Sequence, residues 1–110
     1  MKVGQIDKLA GFAMGEIFLR LFTGEKIMVA RVDGPSGAVA PKHSHPHEQM
    51  TLVLSGRIKC VVNGEQRELG PGEILHLSSQ VEHEVTFVEP TTLLDIFHPV
   101  REDFLKKVNG

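Results

Sequence analysis

The chain has 110 residues, six prolines, eleven glycines and one cysteine, and its formal net charge is −2. This length suits a single domain spanning residues 1–110, and a lone cysteine excludes an internal disulfide. The basic residues are spread along the chain, and no segment approaches the roughly 18 apolar residues of a membrane span. We therefore expect a cytoplasmic protein with neither nucleic acid nor a membrane as a partner.

Short β-compatible runs follow one another along the chain, separated by Gly, Pro, Asn and Asp. Strands are predicted at residues 16–22, 26–32, 48–54, 57–62, 65–69, 73–77, 84–88 and 93–97. The first two are predicted to form a hairpin, and Asn63-Gly64 favours a type I′ turn that pairs the fourth with the fifth. A short helix is predicted at 101–108, with acidic residues early and lysines late. Eight or nine short strands indicate an all-β barrel or jelly roll with a short C-terminal helix.

Three of the six histidines lie in the segment His43-Ser44-His45-Pro46-His47. Side chains two apart in an extended segment point to the same face, so His43 and His45 can converge on one point. Imidazole nitrogen is a common ligand for divalent Zn, Fe, Ni and Mn. The HxH pattern alone is explained equally well by a histidine-rich surface loop.

The residues around this segment resemble the first motif of the cupin superfamily, GxxxxxHxHxxxExxxxxxG. Gly37, His43, His45 and Gly56 match its glycines and histidines, and Gln49 stands in the glutamate place. The resemblance implies a double-stranded β-helix, the jelly-roll barrel of the cupins, which binds one divalent metal ion inside the barrel.

The later segment from Gly72 to His83 resembles the second cupin motif. Ser78, Gln80 and Phe87 depart from that motif, where the family usually has Pro, Gly and Asn. None of these three positions is a metal ligand in the family. The resemblance implies a site for one Ni, Zn, Mn or Fe ion with the ligands His43, His45, Gln49 and His83. The alternative for His83 is a packed core histidine.

The preceding residue, Glu48, is an alternative to Gln49 as the fourth metal ligand. Glu48 would be the ligand if the strand were shifted by one position, whereas Gln49 alternates with Thr51 and Val53 on one face. Three imidazoles and an amide oxygen are all neutral, so an ion held by them keeps its double charge. Such a site attracts anionic oxygen and acts as a Lewis acid.

The end of the last predicted strand carries a second group of polar residues. Alternation puts Asp95 and Phe97 on the face opposite Ile96, and Arg101 follows shortly after. A structural salt bridge between Asp95 and Arg101 is one interpretation. In the other interpretation, Asp95 points into the barrel as an acid or base, Phe97 lines the pocket, and Arg101 binds a ligand carboxylate bidentately.

The two ends of this pattern, His-x-His-Pro-x-Glu-Gln and Asp-x-Phe-x-Pro-x-Arg-Glu-Asp-Phe, resemble the KdgF-type cupins. Those metal-dependent enzymes convert 4,5-unsaturated monouronates to linear ketouronates in pectin and alginate breakdown. The resemblance implies that Asp95, Phe97 and Arg101 take part in the reaction and that the substrate is a small acidic sugar. It also implies a homodimer. The alternatives are a non-catalytic, metal-dependent binder of a carboxylate or sugar, and an Fe(II) dioxygenase.

Overall fold

The computed structural model describes residues 1–109, which contain ten β-strands, one 3-10 helix at Ile6–Lys8 and one α-helix. The strands are β1 (Gly11–Met14), β2 (Ile17–Thr23), β3 (Met28–Gly34), β4 (Val39–His43), β5 (Glu48–Ser55), β6 (Ile58–Val62), β7 (Glu65–Leu69), β8 (Ile74–Leu77), β9 (His83–Phe87) and β10 (Thr91–His98). The α-helix is α1 (Glu102–Asn109).

The strands form two antiparallel sheets. One has six strands in the order β1-β2-β3-β10-β5-β8, and the other has four in the order β4-β9-β6-β7. Buried apolar side chains from both sheets make one hydrophobic cluster between them. This arrangement is the double-stranded β-helix, and it confirms the predicted all-β barrel with a short C-terminal helix.

Two predicted hairpins are confirmed. β2 pairs with β3, for example Leu21 with Ala30, and β6 pairs with β7. Asn63 and Gly64 connect β6 to β7 with φ angles of 48° and 86°, as a type I′ turn requires. The hairpin prediction succeeded because few residues other than Asn and Gly adopt positive φ readily.

Two strands were not predicted, and one was misplaced. β1 lies between two glycines, and β4 contains Pro41, so neither matches a continuous strand pattern. β4 pairs with β9 through Ala40 and Val85, and the register shifts before the next pair, His43 with His83. β3 begins two residues later than predicted.

The C-terminal helix packs against β1. It begins at Glu102, one residue later than predicted, and acidic residues occupy its first turn. Phe104 is the buried residue of the helix, and its ring lies 5.3 Å from that of Phe12. Within residues 1–109, no helix has the length and apolar character needed to cross a membrane. The cytoplasmic location stays a prediction.

Strand β10 lies between β3 and β5 near the centre of the larger sheet. Leu93 and Phe97 are buried on its inner face, while Ile96 is exposed on the outer face. Asp95 belongs to the inner set because side chains alternate along a strand. The fold therefore directs the Asp95 carboxyl group into the barrel.

Replacing Gly56 with alanine is expected to destabilise the protein strongly. Gly56 has φ +90°, and a Cβ there would overlap the backbone oxygen of Pro90. Left-handed backbone costs about 1–2 kcal/mol and overpacking about 1–3 kcal/mol, so we expect a loss of about 3 kcal/mol. The control is Gly72→Ala, where φ is +85° but nothing lies within 4 Å, with an expected loss of about 1 kcal/mol. Urea unfolding measures both, and equal losses would contradict the steric argument.

Asp33 is expected to contribute stability that is lost in acid. Burial raises the pKa of its carboxyl, but hydrogen bonds from Thr92 and Arg31 and the charges of Arg31 and Arg20 outweigh burial and lower the pKa below 3.8. The contribution is complete above the unfolded pKa and disappears as pH falls through the lower folded pKa. The stability difference between wild type and Asp33→Asn should therefore be present at pH 7 and shrink below pH 3.8.

We expect this difference to stay under about 1 kcal/mol because the groups are partly exposed. Urea midpoints at several pH values measure it. A difference that stays constant down to the acid transition would contradict the linkage.

Candidate metal centre and active site

Three histidines meet at one end of the barrel. His43 ends β4, His45 lies in the loop that follows, and His83 begins β9 directly opposite His43. One ring nitrogen from each lies within 4.8 Å of the other two. The centroids of the rings of His43 and His83 are 4.3 Å apart, and those of His45 and His83 are 5.0 Å apart. The structure thus brings together the three histidines that the sequence singled out.

The backbone fixes the orientation of all three imidazoles. Each Nδ1 lies at hydrogen-bond distance from a carbonyl oxygen: His43 from Pro41 at 2.7 Å, His45 from His47 at 3.0 Å, and His83 from Val81 at 2.9 Å. A carbonyl oxygen only accepts hydrogen bonds, so each Nδ1 carries the proton and donates. Each Nε2 therefore keeps its lone pair, and this is the tautomer that a metal ligand needs.

Burial keeps two of these histidines neutral. It lowers the pKa of His45 to about 4, helped by the positive charge of Arg101. Burial also lowers the pKa of His83. Both rings are therefore uncharged at neutral pH, with a nitrogen lone pair directed into the cluster.

Gln49 supplies a fourth ligand-type atom. Its Oε1 lies 3.0 Å from Nε2 of His45, while its amide nitrogen donates to Thr51 Oγ1 at 3.0 Å and to Asp95 Oδ1 at 3.1 Å. Because the Nδ1 proton of His45 is already used, its Nε2 and the Gln49 oxygen face each other as two acceptors. A cation bound by both relieves this repulsion, so the donor set fits a divalent metal ion.

The two candidates for the fourth ligand point in opposite directions. Gln49 is buried on the inner face of β5, whereas Glu48 is exposed on the outer face. Glu48 Oε2 lies 2.7 Å from Nε2 of His76, which is also exposed. Of the two residues, Gln49 is therefore the one that reaches the histidine cluster. Its role as a ligand remains a proposal.

Asp95 lies inside the barrel, as one of the two interpretations predicted. Its Oδ1 accepts a hydrogen bond of 2.6 Å from Thr51 and a second from Gln49. Burial raises the pKa of this carboxyl to about 6, although both hydrogen bonds and the charge of Arg101 oppose the shift. The alternative interpretation, a structural salt bridge between Asp95 and Arg101, is wrong, because Arg101 pairs with another carboxylate.

That carboxylate is Asp103. Arg101 donates from Nε at 3.0 Å and from Nη2 at 2.8 Å to the two carboxyl oxygens of Asp103, and these bonds lower the pKa of Asp103. The guanidinium carbon lies 3.8 Å from the ring centroid of Phe104 and 4.9 Å from that of Phe97. Within residues 1–109 no group accepts a hydrogen bond from Nη1. Arg101 therefore keeps both hydrogens of Nη1 and one hydrogen of Nη2 for a ligand.

A cavity connects these groups. His43, His83, Gln49, Asp95 and Arg101 contribute to its wall, and apolar side chains from both sheets make up most of the rest. Phe97 also lines it, as predicted. An apolar pocket with a few converging polar groups is the usual form of a small-molecule site.

Sequence reasoning missed Thr51 and Asp103 as parts of this site. Thr51 is buried with 2% of its surface exposed and lies opposite Asp95 in the sheet. The alternation that assigned Gln49 to the inner face also puts Thr51 there, but it does not reveal the hydrogen bond to Asp95. The Arg-x-Asp spacing was the available signal for Asp103.

The fold and the three-histidine cluster define a metal-binding double-stranded β-helix. The chain belongs to the cupin family, because residues 30–97 match the family model described as cupin domain. The pectin degradation protein KdgF of Dickeya dadantii (strain 3937) is 31% identical over 83 residues, which cover 74% of this chain and 76% of that protein.

Solved structures agree with this assignment. KdgF from Halomonas sp. has a TM-score of 0.82 and 27% identity over 88% of this chain and 94% of its own. An RmlC-like cupin from Shewanella frigidimarina NCIMB 400 has a TM-score of 0.86 and 23% identity, covering 92% of this chain and 93% of its own. The second likeness supports the fold alone.

Proposed function

We propose that this cupin opens the ring of 4,5-unsaturated monouronates to give linear ketouronates. One observation carries the proposal: the Asp95 carboxyl and the Arg101 guanidinium line the same cavity as His43 and His83. An acid or base, an anion-binding cation and a metal-ligand cluster are the groups that such a substrate requires. The two relatives named KdgF, one of them a pectin degradation protein, add support.

His43, His45, Gln49 and His83 would hold one divalent ion, either Ni, Zn, Mn or Fe. When bound, the ion supplies Lewis acidity toward substrate oxygens, and its double charge is undiminished by these neutral ligands. The Asp95 carboxyl hydrogen-bonds Gln49 and, among the described residues, no histidine nitrogen. The site therefore suits an anionic substrate.

The protein's own groups account for binding and proton transfer. Arg101 binds the sugar carboxylate through the edge formed by Nη1 and Nη2, because Asp103 occupies the edge formed by Nε and Nη2. Phe97 packs against the sugar ring, and the apolar lining limits the access of water.

Ring opening is an isomerisation: the bond between C1 and the ring oxygen breaks, C1 and C5 become carbonyl carbons, and one proton moves from the C1 hydroxyl to C4. Asp95 can carry this proton on Oδ2, because both of its hydrogen bonds to protein fall on Oδ1. A carboxyl with a pKa near 6 exchanges protons readily at neutral pH. The free Oδ2 and the raised pKa support Asp95 as the acid and base of the proposed reaction.

The test follows the absorbance of the double bond in 4,5-unsaturated galacturonate, which is conjugated with the carboxylate. We expect metal-loaded protein to remove this absorbance faster than the spontaneous reaction does. Decay at the spontaneous rate would overturn the proposal. Saturable sugar binding without turnover would favour the non-catalytic binder, and oxygen uptake would favour an Fe(II) dioxygenase.

We also propose that residues 1–110 act as one domain and that this domain forms a homodimer. The outer face of three adjacent strands carries six apolar side chains, and a second copy of the same face would fit it. The residues on it are Met50, Leu52, Leu54, Ile74, Leu94 and Ile96. Ile74 is 63% exposed, and a matching apolar face related by a two-fold axis would cover it.

Light scattering is expected to give twice the chain mass for the wild type, and Ile74→Lys is expected to shift the protein toward the monomer. Val88→Lys is the control, because Val88 is an exposed apolar residue outside this face. A monomeric wild type, or a dimer unaffected by Ile74→Lys, would contradict the interface.

A further inference from the structure

Three side chains beside the histidine cluster form a closed triangle of hydrogen bonds. Gln49 Nε2 lies 3.0 Å from Thr51 Oγ1 and 3.1 Å from Asp95 Oδ1, and Thr51 Oγ1 lies 2.6 Å from the same Asp95 oxygen. We propose that Thr51 is a positioning residue for the metal site. Its hydroxyl, together with Asp95, locks the Gln49 carboxamide with the oxygen toward the histidines.

The directions of these bonds follow from counting donors. An ionised Asp95 only accepts, so the single hydroxyl proton of Thr51 goes to Asp95 Oδ1. The Thr51 oxygen then has lone pairs left and accepts one amide hydrogen of Gln49, and Asp95 accepts the other. All three bonds exist together only when the amide nitrogen of Gln49 points at this pair. Its oxygen must then point at His45.

The sheet holds the triangle in place. Thr51 lies directly opposite Asp95 in the pairing of β5 with β10, and Gln49 lies opposite Phe97. Gln49 and Thr51 are 7% and 2% exposed, so water has little access to complete their hydrogen bonds. A buried hydroxyl is costly unless it is hydrogen-bonded. Packing alone would be served as well by valine, which has nearly the same shape.

This lock matters because a carboxamide has two ends of equal size. The oxygen has lone pairs for a metal ion, but the nitrogen has none available. If Gln49 rotated by 180°, an N–H group would face the Nε2 lone pair of His45 and close the site by hydrogen bonding to it. Thr51 and Asp95 make that rotated state unfavourable, because it sets the Gln49 oxygen against two acceptors.

The experiment measures Co²⁺ binding by titration calorimetry and by visible absorption, using full-length protein stripped of metal. Thr51→Val is expected to weaken binding about 10–100-fold, as loss of an outer-shell partner does at other metal sites. It should also change the Co²⁺ spectrum, because the amide oxygen leaves the ligand set. Thr51→Ser keeps the hydroxyl and should restore the wild-type affinity and spectrum.

Thr92→Val is the matched control. Thr92 is also a strand threonine whose hydroxyl donates to an aspartate oxygen at 2.6 Å, but its partner is Asp33, outside the metal site. Thr92→Val should leave Co²⁺ affinity and spectrum unchanged. Wild-type affinity and spectrum for Thr51→Val would overturn the proposal.

If Thr51→Val fails to fold, the Co²⁺ titration of Asp95→Asn tests the proposal in its place. An asparagine can present either an acceptor or a donor to Gln49, so both orientations of the Gln49 amide become possible. We therefore expect weaker Co²⁺ binding. Unchanged binding would overturn the proposal. The inference rests on the proposed metal site and not on the proposed reaction, and no sugar is present in the titration. Its failure is therefore distinguishable from a failure of uronate ring opening.

Discussion

Replacing His83 with alanine is expected to abolish metal binding and the stability that bound metal confers. His83 provides one of three ring nitrogens that lie within 4.8 Å of one another, and without it only two histidines and Gln49 would be left to hold the ion. Metal present at 100 times its Kd stabilises a folded protein by about 2.7 kcal/mol. For a domain of this size, that corresponds to a rise in Tm of roughly 10 °C or more.

Thermal melting with added metal and with a chelator measures this effect. The comparison uses the metal-induced shift in Tm, because the substitution itself changes the Tm of the metal-free protein. His76→Ala is the control, since its imidazole is exposed and pairs with Glu48 outside the barrel. A shift that survives in His83→Ala, or that is absent from wild type, would contradict the proposed metal centre.

The histidine cluster was predictable from the sequence because its geometry is encoded by short spacings. His43 and His45 are two residues apart, and their rings do converge, with centroids 5.5 Å apart. His83 is distant along the chain and was found only through the resemblance to the second cupin motif. Composition and periodicity alone do not predict that it pairs with His43 across two strands.

The strand positions of Gln49 and Asp95 were also predictable, because alternation in a strand depends only on counting. Alternation assigns side chains to a face only within the strand itself. Arg101 follows β10 and precedes α1, so neither strand nor helix periodicity says where its guanidinium points. Its pairing with Asp103 and its stacking on Phe104 come from packing of the helix against the barrel. For this reason, the salt bridge considered between Asp95 and Arg101 was wrong.

The hydrogen bond from Thr51 to Asp95 could not be predicted from the sequence for a different reason. Threonine is common in strands, and nothing in the sequence marks one whose hydroxyl meets a buried carboxyl. The contact depends on the register between β5 and β10, which sets Thr51 opposite Asp95. Register is fixed by the packing of the whole barrel, and it became visible only in the structure.

Replacing Asp95 with asparagine is expected to lower kcat/KM for the unsaturated uronate by about 10²–10⁴-fold, the usual contribution of a general acid or base. The amide has nearly the same shape and still fills the inner face of β10, but it cannot accept and release a proton. The measurement follows the decay of substrate absorbance at saturating metal, because the loss of Gln49 orientation would otherwise lower occupancy. Metal content determined on the same samples separates the two effects.

Asp33→Asn is the control for this reaction. It removes a carboxylate from the outer face of the same sheet, where its partners are Arg31 and Thr92, and turnover should be unchanged. Residual activity above about a tenth of wild type in metal-saturated Asp95→Asn would assign the proton transfer to another group. In that case the hydrogen bonds of Asp95 to Gln49 and Thr51 would be sufficient reason for a carboxyl in this cavity. A large loss with full metal occupancy requires the proton-transfer role as well, since orientation of the ligand alone does not explain it.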